Sequence, residues 1–217
     1  MDKRALIAMS GGVDSAVAAF LTQQEGYSCV GATMHLHGEF TGVEDARQVA
    51  DRLGMPFHVL DFQKEFRALV MDDFVACYEQ GLTPNPCVVC NRRLKFGLLL
   101  EAAQALGCGY TVTGHYARIR QENGRYVLRK AADEAKDQSY FLYALTQDQL
   151  SKIRFPLGEL TKAQAERSPC SRALSMRRSG ILRMCASSPT GITTLFCSGT
   201  PEKPTPRGIF WTAPARS

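Results

Sequence analysis

The 217 residues contain no apolar run approaching the roughly 18 that a membrane span requires. The start, Met1-Asp2-Lys3-Arg4, leads straight into a short apolar segment. It lacks the long apolar stretch and small-residue cleavage site of a secretory signal. The expectation is a cytoplasmic protein with no membrane partner. Thiols stay reduced in that compartment, so the eight cysteines are expected to be free, catalytic or metal-binding rather than paired. Acidic residues are scarce in one place only: residues 169–217 hold Glu202 and no aspartate, against seven Lys or Arg. Taking these from the totals of 21 acidic and 26 basic residues leaves 20 and 19 in residues 1–168. The net charge of +5 therefore belongs to the tail and is no argument for nucleic-acid binding by the rest.

What is present before residue 169 is an alternation of strand-like and helix-like segments. Ala5–Met9, Cys29–Met34, Phe57–Leu60 and Tyr110–Thr113 read as buried strands. Asp14–Gln24, Glu44–Leu53, Glu65–Tyr78 and Arg92–Leu106 read as helices, three of them stopped by Gly26, Gly54 and Gly107. That order predicts an α/β domain, a Rossmann-like parallel sheet with helices on both faces. Asn123-Gly124 between Ala117–Arg120 and Arg125–Lys130 predicts a hairpin. Gln138–Leu150 reads as a helix. An irregular tail, 169–217, follows. It holds six of the ten prolines and thirteen Ser or Thr, and no helical or alternating period lasts more than a turn.

Ser10-Gly11-Gly12-Val13-Asp14-Ser15 lies between the first strand and the first helix. Two glycines let backbone approach phosphates closely, and a helix N-terminus turns unpaired N–H groups toward an anion. Ser10 and Ser15 add hydroxyls, and Asp14 is a candidate to hold a phosphate-bound Mg²⁺. The bland alternative is a Gly-Gly turn with Asp14 and Ser15 as ordinary first-turn residues. No lysine stands in the loop, so it is not a Walker A sequence. The hexapeptide resembles the SGGxDS signature of the PP-loop ATP-pyrophosphatases, within the adenine nucleotide alpha hydrolase type. That resemblance implies cleavage of ATP between its α- and β-phosphates and adenylation of a carbonyl oxygen.

A second stretch, Thr83-Pro84-Asn85-Pro86-Cys87-Val88-Val89-Cys90-Asn91-Arg92, places two thiols where a proline-fixed loop enters a helix expected to begin near Asn91. On that reading Cys90 sits at a helix N-terminus beside Arg92, Arg93 and Lys95, which favours its thiolate. Zinc on the two cysteines would need two further ligands. Cys29, Cys77 and Cys108 lie in apolar settings and are expected to be buried. Together with Thr113–Arg118 (TGHYAR), Lys136–Leu142 (KDQSYFL) and Phe155–Lys162 (FPLGELTK), the stretch resembles the tRNA-specific 2-thiouridylases over residues 5 to about 165. The resemblance implies residues 1–116 as the ATP-binding catalytic domain and 117–168 as the start of a tRNA-contacting middle region. It implies Ala8, Met9, Ser10, Gly11, Gly12, Val13, Asp14, Ser15, Met34 and Gly114 around ATP, with Mg²⁺, and Cys90 as nucleophile. Asn85, Pro86 and Cys87, with Lys136, Asp137 and Gln138, would meet tRNA. The implied chemistry adenylates the C2 oxygen of the wobble uridine. A persulfide sulfur on a second cysteine then attacks C2, AMP leaves, and Cys90 closes a disulfide to release the sulfur. A persulfide carrier protein would supply that sulfur.

The sequence departs from this pattern at the second cysteine, whose usual DSQDICF-like surroundings are absent; Cys185 is a weak candidate by position. Gly180–Thr193, back-translated and read from the third base, can spell Asp-Ser-Gln-Asp-Val-Cys-Phe. The expectation is a shifted reading frame from about Ala165–Ser168, and a chain that binds ATP but thiolates little. Alternatives are an iron–sulfur PP-loop thiolase using Cys87, Cys90 and a third cysteine, an amide-forming ATP-pyrophosphatase, and a nucleotide-binding remnant without activity. The amide-forming reading is disfavoured because amide formation needs no reactive thiol.

Overall fold

The computed structural model describes residues 3–38 and 42–168. A parallel sheet is built from β1 (Arg4–Ala8), β2 (Ser28–His35), β3 (Phe57–Asp61) and β4 (Tyr110–Val112). A separate antiparallel hairpin, β5 (Arg118–Glu122) and β6 (Arg125–Arg129), follows, and β7 (Ile153–Arg154) then returns to pair with β4. The sheet order is β3-β2-β1-β4-β7.

Ala5, Leu6 and Ile7 of β1 are wholly buried, as expected for a central parallel strand covered on both faces. Side chains alternate across the strand. Ala5 and Ile7 therefore join one cluster, with Ala16, Val17 and Ala19 of α1 (Val13–Gln24) and Val49 and Ala50 of α2 (Val43–Arg52). Leu6 joins the other, with Val30, Ala32, Leu99 and Ala103. The alanines of α1 let that helix lie close to the sheet.

Two long helical stretches separate β3 from β4. The first runs from α3 (Gln63–Phe66) through a π turn (Arg67–Met71) into α4 (Asp72–Glu79). The second runs from α5 (Pro86–Cys90) through a π stretch (Asn91–Leu98) into α6 (Leu99–Ala105). Widened turns of this kind tend to occur at functional sites. The second stretch begins at Pro86, a turn earlier than the expected start near Asn91. Proline suits the first helical position because its missing N–H would have had no partner there, and the Asn85 side chain caps the turn by accepting from the Val88 N–H at 3.3 Å.

The Asn-Gly hairpin forms as read, with Asn123 and Gly124 at φ of 49° and 77°. Gln138–Leu150 does not form one helix. A 3₁₀ turn (Ser139–Phe141) is followed by α7 (Gln147–Lys152) only. The Asp137 carboxylate captures the Ser139 hydroxyl at 2.7 Å and the Ala131 N–H at 2.8 Å, and Thr146 with Gln149 forms a capping box that starts α7 late. Short polar side chains here offer the backbone an alternative to helix. A 3₁₀ turn (Pro156–Glu159) and α8 (Lys162–Arg167) close the described chain, α8 also being started by a capping box, Thr161 with Gln164.

Cys29 and Cys108 are buried, as expected, whereas Cys77 on the outer helix is only half-buried. Burial, and secondarily Cys108, push the Cys29 thiol from its ordinary 9.0 up to about 11. A raised folded-state value means that the fold keeps its full stability below pH 9 and loses it as pH climbs from 9 to 11. The loss is on the order of 2 kcal/mol. Thermal melts of wild type and Cys29→Ala across that range should show the wild-type midpoint falling more steeply. Parallel slopes would refute the assignment.

Candidate nucleotide site and cysteine helix

Strand order reverses between β1 and β4: the chain steps outward from β1 to β2 and β3, then returns to the far side of β1. In open parallel sheets the crevice at such a reversal, beyond the carboxyl ends of the strands, is where ligands bind. Both Ser10–Ser15 and Thr113–Tyr116 leave the sheet at this point.

The loop is tied down from within. The Met9 N–H donates to the Ala32 carbonyl, and the Thr33 hydroxyl donates to the Met9 carbonyl, both at 2.8 Å. The Ser15 hydroxyl donates to the Gly12 carbonyl at 2.9 Å and accepts from the Ser10 N–H at 3.3 Å. Gly11 has φ +75°, and a Cβ there would lie 2.7 Å from the Gly42 carbonyl. Gly12 caps α1 without any side-chain acceptor, leaving the first N–H groups of the helix to outside partners. Ala8 and Met34 are half-buried at the same end of the sheet, packed against the second core cluster. Gly114 lies against the start of α1: a Cβ on it would sit 2.9 Å from the Asp14 carbonyl carbon and 3.0 Å from the Ser15 nitrogen.

Asp14 is held by two residues that sequence reasoning did not assign. The Tyr116 hydroxyl donates to its Oδ1 at 3.1 Å, and Lys162 Nζ reaches Oδ1 and Oδ2 at 2.6 and 2.8 Å. Burial first, then the Asp14 charge, push the Tyr116 phenol far up, so it stays a hydroxyl donor. Lys162 stands in the FPLGELTK segment, but nothing in its spacing announces a partner 148 residues away.

These groups suit a nucleotide phosphate chain: undirected helix N–H groups, small residues and a carboxylate at the mouth. For a metal the protein offers Asp14 alone, since the described residues contain no group of three metal-ligating side chains. Mg²⁺ usually binds through one or two carboxylates together with substrate phosphates, so Asp14 fits a cation that arrives with them.

The cysteine helix crosses the same end of the sheet. Leu99 and Ala103 pack on the sheet, so the N-terminal turns project past its carboxyl edge. Midway, the Phe96 ring lies 5.9 Å from the His115 ring, next to Gly114. His115 shares a 2.7 Å hydrogen bond with the Thr113 hydroxyl, and burial and then Lys95 push its pKa well below the usual value, so it is neutral. Cys90 lies six residues, or roughly 9 Å, along the helix from Phe96. Cys87 and Cys90 are both half-buried. Because the helix starts at Pro86, Cys87 and not Cys90 occupies the first turn, where unpaired N–H groups favour a thiolate. Cys90 closes α5, its flanking Arg92 and Arg93 are exposed, and Asn91 beside it is buried, donating to the Phe141 carbonyl at 3.4 Å.

In the middle segment only Lys136 is fully exposed. Asp137 is engaged with Ala131 and Ser139, while Gln138 makes two bonds to Tyr116: its N–H donates to the carbonyl at 2.8 Å and its Oε1 accepts from the N–H at 3.1 Å. Hydrogen bonding to the charged form and nearby Lys130 lower the Asp137 pKa, although burial opposes them as the largest single influence. Cys185 lies outside the described residues.

A five-stranded parallel sheet with a glycine loop at its reversal point defines an α/β domain of the adenine nucleotide alpha hydrolase, or HUP, type. Residues 3–179 match the model of the tRNA methyl transferase HUP domain family, and the chain belongs to that family. It is 47% identical over 175 residues to the tRNA-specific 2-thiouridylase MnmA of Clostridium acetobutylicum, covering 75% of this chain and 49% of that protein. The MnmA of Geotalea uraniireducens is 50% identical over 179 residues, covering 75% and 48%. The chain thus spans about half the length of these curated relatives. Among solved structures, the U34-tRNA thiolase NcsA from Methanococcus maripaludis, with its 4Fe–4S cluster, shares the fold at a TM-score of 0.56 and 15% identity, over 90% of this chain and 65% of that one.

Proposed function

We propose that this chain binds ATP with Mg²⁺ on the Ser10–Ser15 loop and serves tRNA 2-thiolation. The uridine C2 oxygen attacks the α-phosphate of ATP and pyrophosphate leaves. A persulfide sulfur then attacks C2, and AMP departs with the oxygen. The carrying observation is that the glycine loop and the Cys87/Cys90 helix lie at one edge of the sheet, joined through Gly114, His115 and Phe96. The loop's role is electrostatic: N–H groups of Val13 and Asp14 take charge on the departing pyrophosphate. Cys90 is the proposed nucleophile and Cys87, in the first turn, the better ionised of the pair. Asn85 and Pro86, at the exposed tip of that helix, and Lys136 are proposed to meet the RNA. Asp137 and Gln138 act through their grip on the Tyr116 segment. Sulfur arrives on a persulfide carrier protein. The relatives' printed activity supports this reading, as does the thiol pair, which transfer of sulfur needs.

The test is mass spectrometry of tRNA nucleosides from cells lacking the gene, together with ATP binding by the purified chain. Loss of 2-thiouridine derivatives and ATP binding are expected. Unchanged 2-thiouridine would overturn the substrate assignment, and absence of ATP binding would overturn the loop assignment.

A further inference from the structure

The phosphate loop has no lysine of its own, yet a lysine ammonium stands at its mouth, brought there by the last described helix. We propose that Lys162 is the phosphate-binding cation of this site: when ATP with Mg²⁺ binds, its ammonium passes from Asp14 to the β- and γ-phosphates, leaving the Asp14 carboxylate to the metal. The inference rests on the ATP reading above and assigns a residue that reading does not use.

Three features support it. The backbone of Lys162 is anchored, so only the side chain needs to move. Its N–H donates to Asp133 Oδ2 at 2.8 Å, Thr161 and Gln164 cap the turn, and Ala165 of the same helix is wholly buried in the core cluster that includes α1 residues. The ammonium is guided as well as anchored, lying 5.8 Å from the centroid of the Tyr116 ring while the Tyr116 hydroxyl holds Asp14 Oδ1 from its own side. Finally, the ion pair is a poor stabiliser. The Lys162 and Asp14 side chains keep 29% and 37% of their exposure, so water screens them and exchange of partner costs little. A lysine is a compact charge with three rotatable donors, able to leave a carboxylate for a phosphate without a fixed fork geometry. Asp14, freed, is the only nearby carboxylate at the loop mouth, and a single carboxylate plus phosphate oxygens is an ordinary Mg²⁺ environment.

A purely structural lysine and a phosphate-binding one are separated by comparing nucleotides. Dissociation constants for ATP and for AMP, each with Mg²⁺, should be measured by titration calorimetry for wild type, Lys162→Met and Lys162→Arg, with thermal melts of each protein without nucleotide. Lys162→Met is expected to weaken ATP at least tenfold while leaving AMP within about twofold, because only ATP carries β- and γ-phosphates. Lys162→Arg, keeping the charge, should recover part of the ATP affinity. The melting points should differ by no more than a few degrees. ATP affinity unchanged in Lys162→Met, or ATP and AMP weakened alike, would overturn the proposal while the ATP reading stands. A wild-type chain that binds neither nucleotide would overturn both.

Discussion

Replacing Gly158 with alanine should lower the melting temperature by roughly 6–12 °C, corresponding to a loss of about 3 kcal/mol. The added Cβ would fall 2.0 Å from the Ala117 carbonyl oxygen and 2.9 Å from both its carbonyl carbon and Arg118 Cγ. Two of these three neighbours are backbone, which cannot rotate away. The Gly158 carbonyl is also committed, accepting from the Ala132 N–H at 2.8 Å, so the turn cannot simply lift off. Relief would require moving either the 3₁₀ turn at Pro156–Glu159 or the start of β5, and both border the buried residues Ala117, Leu157 and Ile153. The glycine in this motif is explained by packing, without a ligand. Differential scanning calorimetry of Gly158→Ala checks it; a midpoint within 2 °C of wild type would mean that the close approach is not real.

For Gly11→Ala the principal loss is expected in nucleotide affinity, about 10- to 100-fold for ATP. A left-handed φ costs an alanine about 1–2 kcal/mol, and its Cβ would meet the Gly42 carbonyl at 2.7 Å and Asp45 Cβ at 2.9 Å. The easiest escape is for the loop to shift away from the N-terminus of α2. That displaces the Gly12 and Val13 N–H groups from the geometry that the Ser10 and Ser15 hydroxyl bonds now fix. Precision matters here because charge-bearing phosphates are recognised by several donors at once. Equilibrium binding of ATP to wild type and Gly11→Ala, with circular dichroism to confirm folding, decides the matter. Equal affinities in two folded proteins would remove the loop from the proposed site.

The parts of this molecule that were legible in its sequence are those set by local chemistry. An apolar run, a Gly-Gly turn and an alanine-rich helix specify β1, the loop and α1 within twenty residues, and Asn123-Gly124 specifies its hairpin. The misreadings arose where a local signal had two meanings. Pro86 was read as loop, yet proline also starts helices, and this shifted the expected N-terminus from Cys87 to Cys90. Apolar residues at Phe141, Leu142, Leu145 and Leu150 imitate a helix, but Asp137 and Thr146 divide the stretch by binding backbone N–H groups. Two features had no local signal at all. Strand β7 is two residues long and exists only because β4 offers an edge, and the Asp14–Lys162 contact is made entirely by the fold.

That contact has a consequence for biogenesis. Asp14 is among the first residues to leave the ribosome, and its countercharge follows 148 positions later. At about 5–20 residues per second, the interval is on the order of 7–30 s. Throughout it the nascent chain carries its glycine loop without the lysine and without the α8 turn that fixes it. The finished pocket thus comes into being only when nearly all of the described polypeptide has been translated, so a prematurely released fragment would display the signature sequence without the completed mouth.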